Sequence, residues 1–133
     1  MRNWILALAV GAGIGVVTTL AYSAAQQEQA EVKPKHTIAE VMQAAHAPGG
    51  SQLMRKVAAG DGSAEEKKQL LEFYVALWDN KPPKGEEEAW KAKTGALVVA
   101  ASKALLGNED SAAALRVAAQ TKCGACHREH REA

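Results

Sequence analysis

Cys123-Gly124-Ala125-Cys126-His127 holds the only two cysteines of the 133-residue chain, spaced C-x-x-C, with a histidine directly after the second. Two thiols at this spacing can add across the two vinyl groups on one edge of a haem. The imidazole that follows then ligates the iron from one face. On a helix Cys123 and His127 are i and i+4, with Cys126 between them, so all three point to one side. Other chemistries also use two cysteines. A thioredoxin-like redox pair would want a βαβ context, which the sequence does not display. A structural zinc site would want four ligands, usually from a second Cys/His pair. A disulfide across two intervening residues would leave the histidine without a role. The motif therefore predicts one covalently bound haem c per chain, with Cys123 and Cys126 as thioether sites and His127 as the proximal iron ligand.

The other face of the iron is constrained by position. Only Arg128 to Ala133 follow His127, and no methionine is among them. His130 is i+3 from His127 and projects to the same side, so it cannot reach the opposite face. A sixth ligand must come from upstream. The candidates are Met42, His46, Met54 and His36, or no protein ligand. Met42 is the first choice, because it lies on the apolar face of the first helical segment; its competing role is that of a core methionine filling a gap. His46 is one turn further on and could look towards the same pocket, although a polar residue near a helix end is expected to be exposed. His36 is expected to be solvated near a polar tether. Met54 follows an interruption at Pro48, and the pattern does not fix its direction.

The elements that must position these residues read as helices. Apolar residues make up 47% of the chain but aromatics only 5%, and alanine-rich composition with few β-branched runs favours helix over strand. A first helix is expected from His36 to Ala59, with Ile38, Val41, Met42 and Ala45 at helical spacing and a break or kink at Pro48. Thr37 and Glu40 form a capping-box pattern, as do Ser63 and Glu66. The second helix is expected over Ala64 to Asp79, its stripe carried by Leu70, Leu71, Tyr74, Leu77 and Trp78 with Phe73 beside it, and Asn80 to Gly85 stops it. The third is expected from about Glu86 to Leu106, burying Trp90, Thr94, Leu97, Val98, Ala101 and Leu105, with Gly107 ending it. Asn108 is placed to cap a fourth, in which Leu115, Ala118, Ala119, Cys123 and Cys126 recur at helical spacing. Four such helices with short loops predict an all-α, antiparallel four-helix bundle. Alanines on the last two helices (Ala96, Ala100, Ala101, Ala104, Ala112, Ala118, Ala119 and Ala125) either leave volume for a flat porphyrin or simply allow close packing. A domain near 100 residues has a modest core, so the haem-loaded protein is expected to be far more stable than the bare chain.

Ahead of the bundle, Arg2 precedes an uncharged run from Asn3 to Gln27, apolar through most of Trp4 to Tyr22. Small residues follow at Ser23, Ala24 and Ala25. Residues 1–25 are therefore expected to be a signal peptide or a retained membrane anchor, an N-terminal hydrophobic helix outside the folded domain. Residues 26–35 read as a polar tether and 36–133 as the haem domain. Arg2 is the one basic residue of the first 25, so the remainder balances at 15 basic against 15 acidic residues. That excludes a polybasic footprint for nucleic acid. No nucleophile–base pair, phosphate loop or paired acid site is visible, so no catalysis is predicted.

In these features the chain resembles the cytochrome c′ family, the class II c-type cytochromes, over about Thr37 to Arg131. The most specific part is Cys123-x-x-Cys126-His127-x-x-His130-Arg131. The family carries an aromatic residue where this chain has His130, and Arg or Lys where it has Arg131. Trp90 resembles the family's aromatic residue at the start of the third helix, and Val41-Met42…His46 resembles its first-helix segment loosely. The PPKG loop and the break at Pro48 depart from the pattern. The resemblance implies a left-handed bundle, often dimeric, with Arg131 and Trp90 near the haem. It implies either a first-helix methionine ligand, a role Met42 could match, or an open distal site with Ile38 or Ala39 over the iron. The expected function is that of an exported mono-haem electron carrier in the bacterial periplasm or on the outer face of the cytoplasmic membrane. Its redox partner proteins are not identified by the sequence, a homodimer is compatible with the family, and residues 4–22 offer a route to membrane association. The alternative is a five-coordinate haem protein that binds nitric oxide or carbon monoxide as sensor or scavenger. A third class is a helical interaction module whose C-x-x-C is a disulfide or metal site.

Overall fold

The structure, a computed structural model, describes residues 33–49, 52–107 and 111–132. All regular structure in these residues is helical, with no strand among them. The hydrophobic N-terminal run and most of the tether lie outside the described residues. So do Asn108, expected to cap the last helix, and Glu109 and Asp110, expected in its first turn. No helix among the described residues is long and apolar enough to cross a membrane.

Helix α1 spans Ile38–Val41 and runs straight into a wider π-helical turn over Met42–His46. Its capping box forms as the sequence predicts: the Glu40 N–H donates to Thr37 Oγ1 at 3.2 Å, and the Thr37 N–H donates to Glu40 Oε2 at 2.7 Å. The π turn closes where the Ala47 N–H donates to the Met42 carbonyl, five residues back, at 3.0 Å. Ala47 itself is extended, with ψ of 142°, because the ring of Pro48 disfavours a helical residue before it. The single broken helix expected here is thus two separate ones, and α2 begins after the break at Leu53–Ala59.

Helix α3, Ala64–Asp79, has the predicted bounds and the predicted Ser63/Glu66 box, with bonds of 3.2 and 2.8 Å. Its core stripe is Leu70, Phe73, Tyr74, Ala76 and Leu77. Trp78, expected in that stripe, is 44% exposed; its ring instead lies under the Lys91 ammonium, 4.2 Å from the centroid, a cation–π contact at the surface. Helix α4 spans Glu87–Leu106, and Trp90, Thr94, Leu97, Ala100, Ala101 and Ala104 are buried. Leu105 is exposed rather than buried, because the contact face passes through Ala104. Helix α5 spans Ser111–His130, with Leu115, Ala118, Cys126 and His130 inward and Cys123 half-buried.

Helix α4 packs between α3 and α5, α2 touches both α3 and α5, and α1 lies on α3. The helices enclose one core with the split α1/α2 segment as its fourth side, an all-α arrangement compatible with a four-helix bundle. Ala100, Ala101, Ala104 and Ala118 are buried within the core, and none lines the large cavity described below. Small side chains there let helices approach closely; they do not make the room for a ligand.

Candidate functional site

A cavity of about 790 Å³ lies between the first helical segment and the C-terminal end of α5. Ile38, Ala39, Met42, Gln43 and His46 line one wall, continued by Ala47 and Pro48. Cys126, His127 and His130 line another, with Arg131 and Glu132 beyond the helix end. Pro83 and Trp90 complete it. Met42, His46, Trp90, Cys126, His127 and Arg131, all singled out by sequence, are therefore brought to one place although they span most of the described chain. Cys123 is not on the wall: it is half-buried, one turn earlier on α5, close enough to Tyr74 for their charges to interact.

Ile38, Met42 and His46 line the same cavity for a geometric reason. At 3.6 residues per turn, a step of four overshoots a full turn by about 40°, and two such steps would carry His46 off the face. The π turn holds more residues per turn, so its step of four falls short and cancels the drift.

His46 is half-buried rather than exposed, as its position near a helix end had suggested. Its ring stacks on Tyr74, with centroids 5.8 Å apart and planes 18° from parallel. Burial first, and the charge of His127 second, push its pKa below the usual histidine value. Tyr74 is fully buried and its hydroxyl has no hydrogen-bond partner; burial, with Cys123 nearby, pushes its pKa up. His36 and Met54 take no part in the cavity. The ring of His36 sits edge-on to Phe73 at 5.0 Å, and its carbonyl accepts from Asn80 Nδ2 at 2.8 Å, so it is half-buried rather than solvated. Met54 packs against the core. Of the four candidate distal ligands, Met42 and His46 line the cavity.

The two thiols are not joined to each other. Burial is the main cause raising the pKa of each, opposed at Cys126 by Lys93. A dithiol redox centre works through a thiolate favoured below the usual thiol range, and both groups are pushed the other way. No group of three or more His, Cys, Asp or Glu suited to an ion occurs among the described residues.

His130 plays a part the sequence did not announce. It is 2% exposed. Its Nδ1 donates to the Lys84 carbonyl at 2.9 Å, which leaves Nε2 to accept from Lys93 Nζ at 3.4 Å; the partners fix the tautomer. Trp90 meets its ring edge-on at 5.4 Å and donates through Nε1 to the Leu77 carbonyl at 2.8 Å. Gly85, at φ of +80°, passes so close that an added Cβ would lie 2.8 Å from His130 Nδ1. The end of α5 is thereby pinned to the α3–α4 loop and to α4, which steadies the turn that carries Cys126 and His127. No local sequence pattern encodes this, because the partners lie 37 to 46 residues away.

No protein-family model matches the chain, and comparison with curated proteins and with solved structures gives no match.

Proposed function

We propose that this chain is an exported, mono-haem c-type cytochrome of the cytochrome c′ kind, carrying single electrons through covalently bound haem c. One observation carries the reading: Cys126 and His127 of the C-x-x-C-H register form the wall of a cavity whose other wall bears Met42 and His46. The residues present support the reading. Cys126 is a free thiol on the cavity wall, and Cys123 is a free, half-buried thiol one turn earlier on α5, off that wall; His127 is exposed at the cavity with an imidazole to offer, and the remaining wall includes Ile38, Ala39, Met42, Pro83 and Trp90. Bound haem supplies one-electron chemistry between Fe(II) and Fe(III). Cys123, Cys126 and His127 on α5 would hold the group, α1 would cover it, and the ligand set and burial would set its potential. Arg131 and Trp90 line the same cavity, which supports the nearness to haem that the family resemblance implies for them. Residues 1–25 deliver the protein to the periplasm or hold it on the outer face of the cytoplasmic membrane.

A second reading, a five-coordinate protein that binds nitric oxide or carbon monoxide, is favoured by a separate observation. Ile38 and Ala39, which the family resemblance places over an open iron, line the same cavity. Absorption spectra of both oxidation states of the matured protein distinguish the two. Reversible reduction with six-coordinate, low-spin spectra supports the carrier; five-coordinate spectra with ready uptake of carbon monoxide contradict it and favour the gas-binding protein.

A further inference from the structure

We propose that His46 is the second axial ligand of the iron, and that Met42 belongs to the apolar wall. The inference rests on the haem reading above and deepens it.

His46 and His127 line one cavity from separate walls, and the π turn is what keeps His46 on its wall. Its ring nitrogens make no hydrogen bond among the described residues, and the ring's contact is a stack through its face on Tyr74. The edge that carries the nitrogens is left to ligate. His130, the other cavity histidine on α5 besides His127, has both nitrogens engaged by protein. The imidazole is half-buried and borders the cavity, so its nitrogens stay accessible to a group bound there. Met42 lines the cavity as well, but the residue is partly buried against the core cluster, the ordinary work of a gap-filling methionine. Tyr74 is then a positioning residue, its ring holding the imidazole in place.

Two imidazoles leave the iron without the methionine that raises the potential of many c-type cytochromes, and they close the site to carbon monoxide. The full chain, matured with its haem, tests this by absorption and electron paramagnetic resonance. The expected wild-type spectrum is low-spin and lacks a sulfur-to-iron charge-transfer band. Met42→Leu leaves it unchanged. His46→Ala converts it to high-spin, opens the site to carbon monoxide, and returns to low-spin when free imidazole is added, which separates ligand loss from misfolding. Covalent haem whose low-spin spectrum survives in His46→Ala, or is lost in Met42→Leu, overturns the ligand assignment alone. A high-spin wild type does the same. Absence of covalent haem overturns the haem reading, and this assignment with it.

Discussion

Tyr74 shows how a single buried atom can be tested. Its hydroxyl is enclosed without a partner, and an unpaired buried polar group costs about 1–3 kcal/mol. Tyr74→Phe removes that group while keeping the ring that stacks on His46. In the haem-free chain the substitution is expected to raise the melting temperature; a fall would mean that the hydroxyl has found a partner. At this scale the C-x-x-C-H register of Cys123, Cys126 and His127 was legible in the sequence, because it lies within five consecutive residues and needs no tertiary partner to be recognised. The environments of His46 and His130 were not. His46 was expected to be exposed because it ends a helix, but the ring that half-buries it is Tyr74, from another helix. His130 was legible as a ligand excluded by geometry and not as the pin that holds the α3–α4 loop.

Among the elements, local signals read true. Both capping boxes form where the sequence places them, since their hydrogen bonds span three residues and need no tertiary partner. The Glu66 carboxylate of the second box accepts from Lys56 Nζ at 2.7 Å. That bond first, and the Ser63 N–H second, hold its pKa below the usual glutamate value of 4.5. Its contribution is present above that value and is lost as the pH falls through the folded-state pKa. Thermal melts of Glu66→Gln across this acid range should therefore show a shallower loss of stability than wild type; parallel curves would contradict the assignment. The α3–α4 loop gives a second test. An alanine at Gly85 carries the cost of a left-handed backbone, about 1–2 kcal/mol, and displaces the His130 ring. Gly60, at φ of +94°, has open space where its Cβ would be, so Gly60→Ala bears only the backbone cost. Gly85→Ala should be the more destabilising of the two by chemical denaturation, and equal effects would mean that the His130 contact contributes nothing. The π turn was not legible, because it depends on where Pro48 stops the helix and on which face packs against α3.

For the molecule as a whole, composition and periodicity gave the all-helical class, and helix bounds followed to within a residue or two wherever caps were present. The broken first helix was expected; that its two parts are separate, with a cavity beside the first, was not, because the cavity belongs to the meeting of α1 with the end of α5 rather than to either alone. The alanine stripes left two uses open; Ala100, Ala101, Ala104 and Ala118, buried in the core, serve close helix contact. The central claim is that this arrangement holds one haem by two sulfurs. The most direct measurement is the denatured intact mass of protein made in cells that export and mature c-type cytochromes, compared with a Cys123→Ala/Cys126→Ala variant. The account predicts wild-type chain heavier than its amino acids by one haem, and a double variant without that increment. A wild-type chain that weighs only what its own mature residues account for would contradict it.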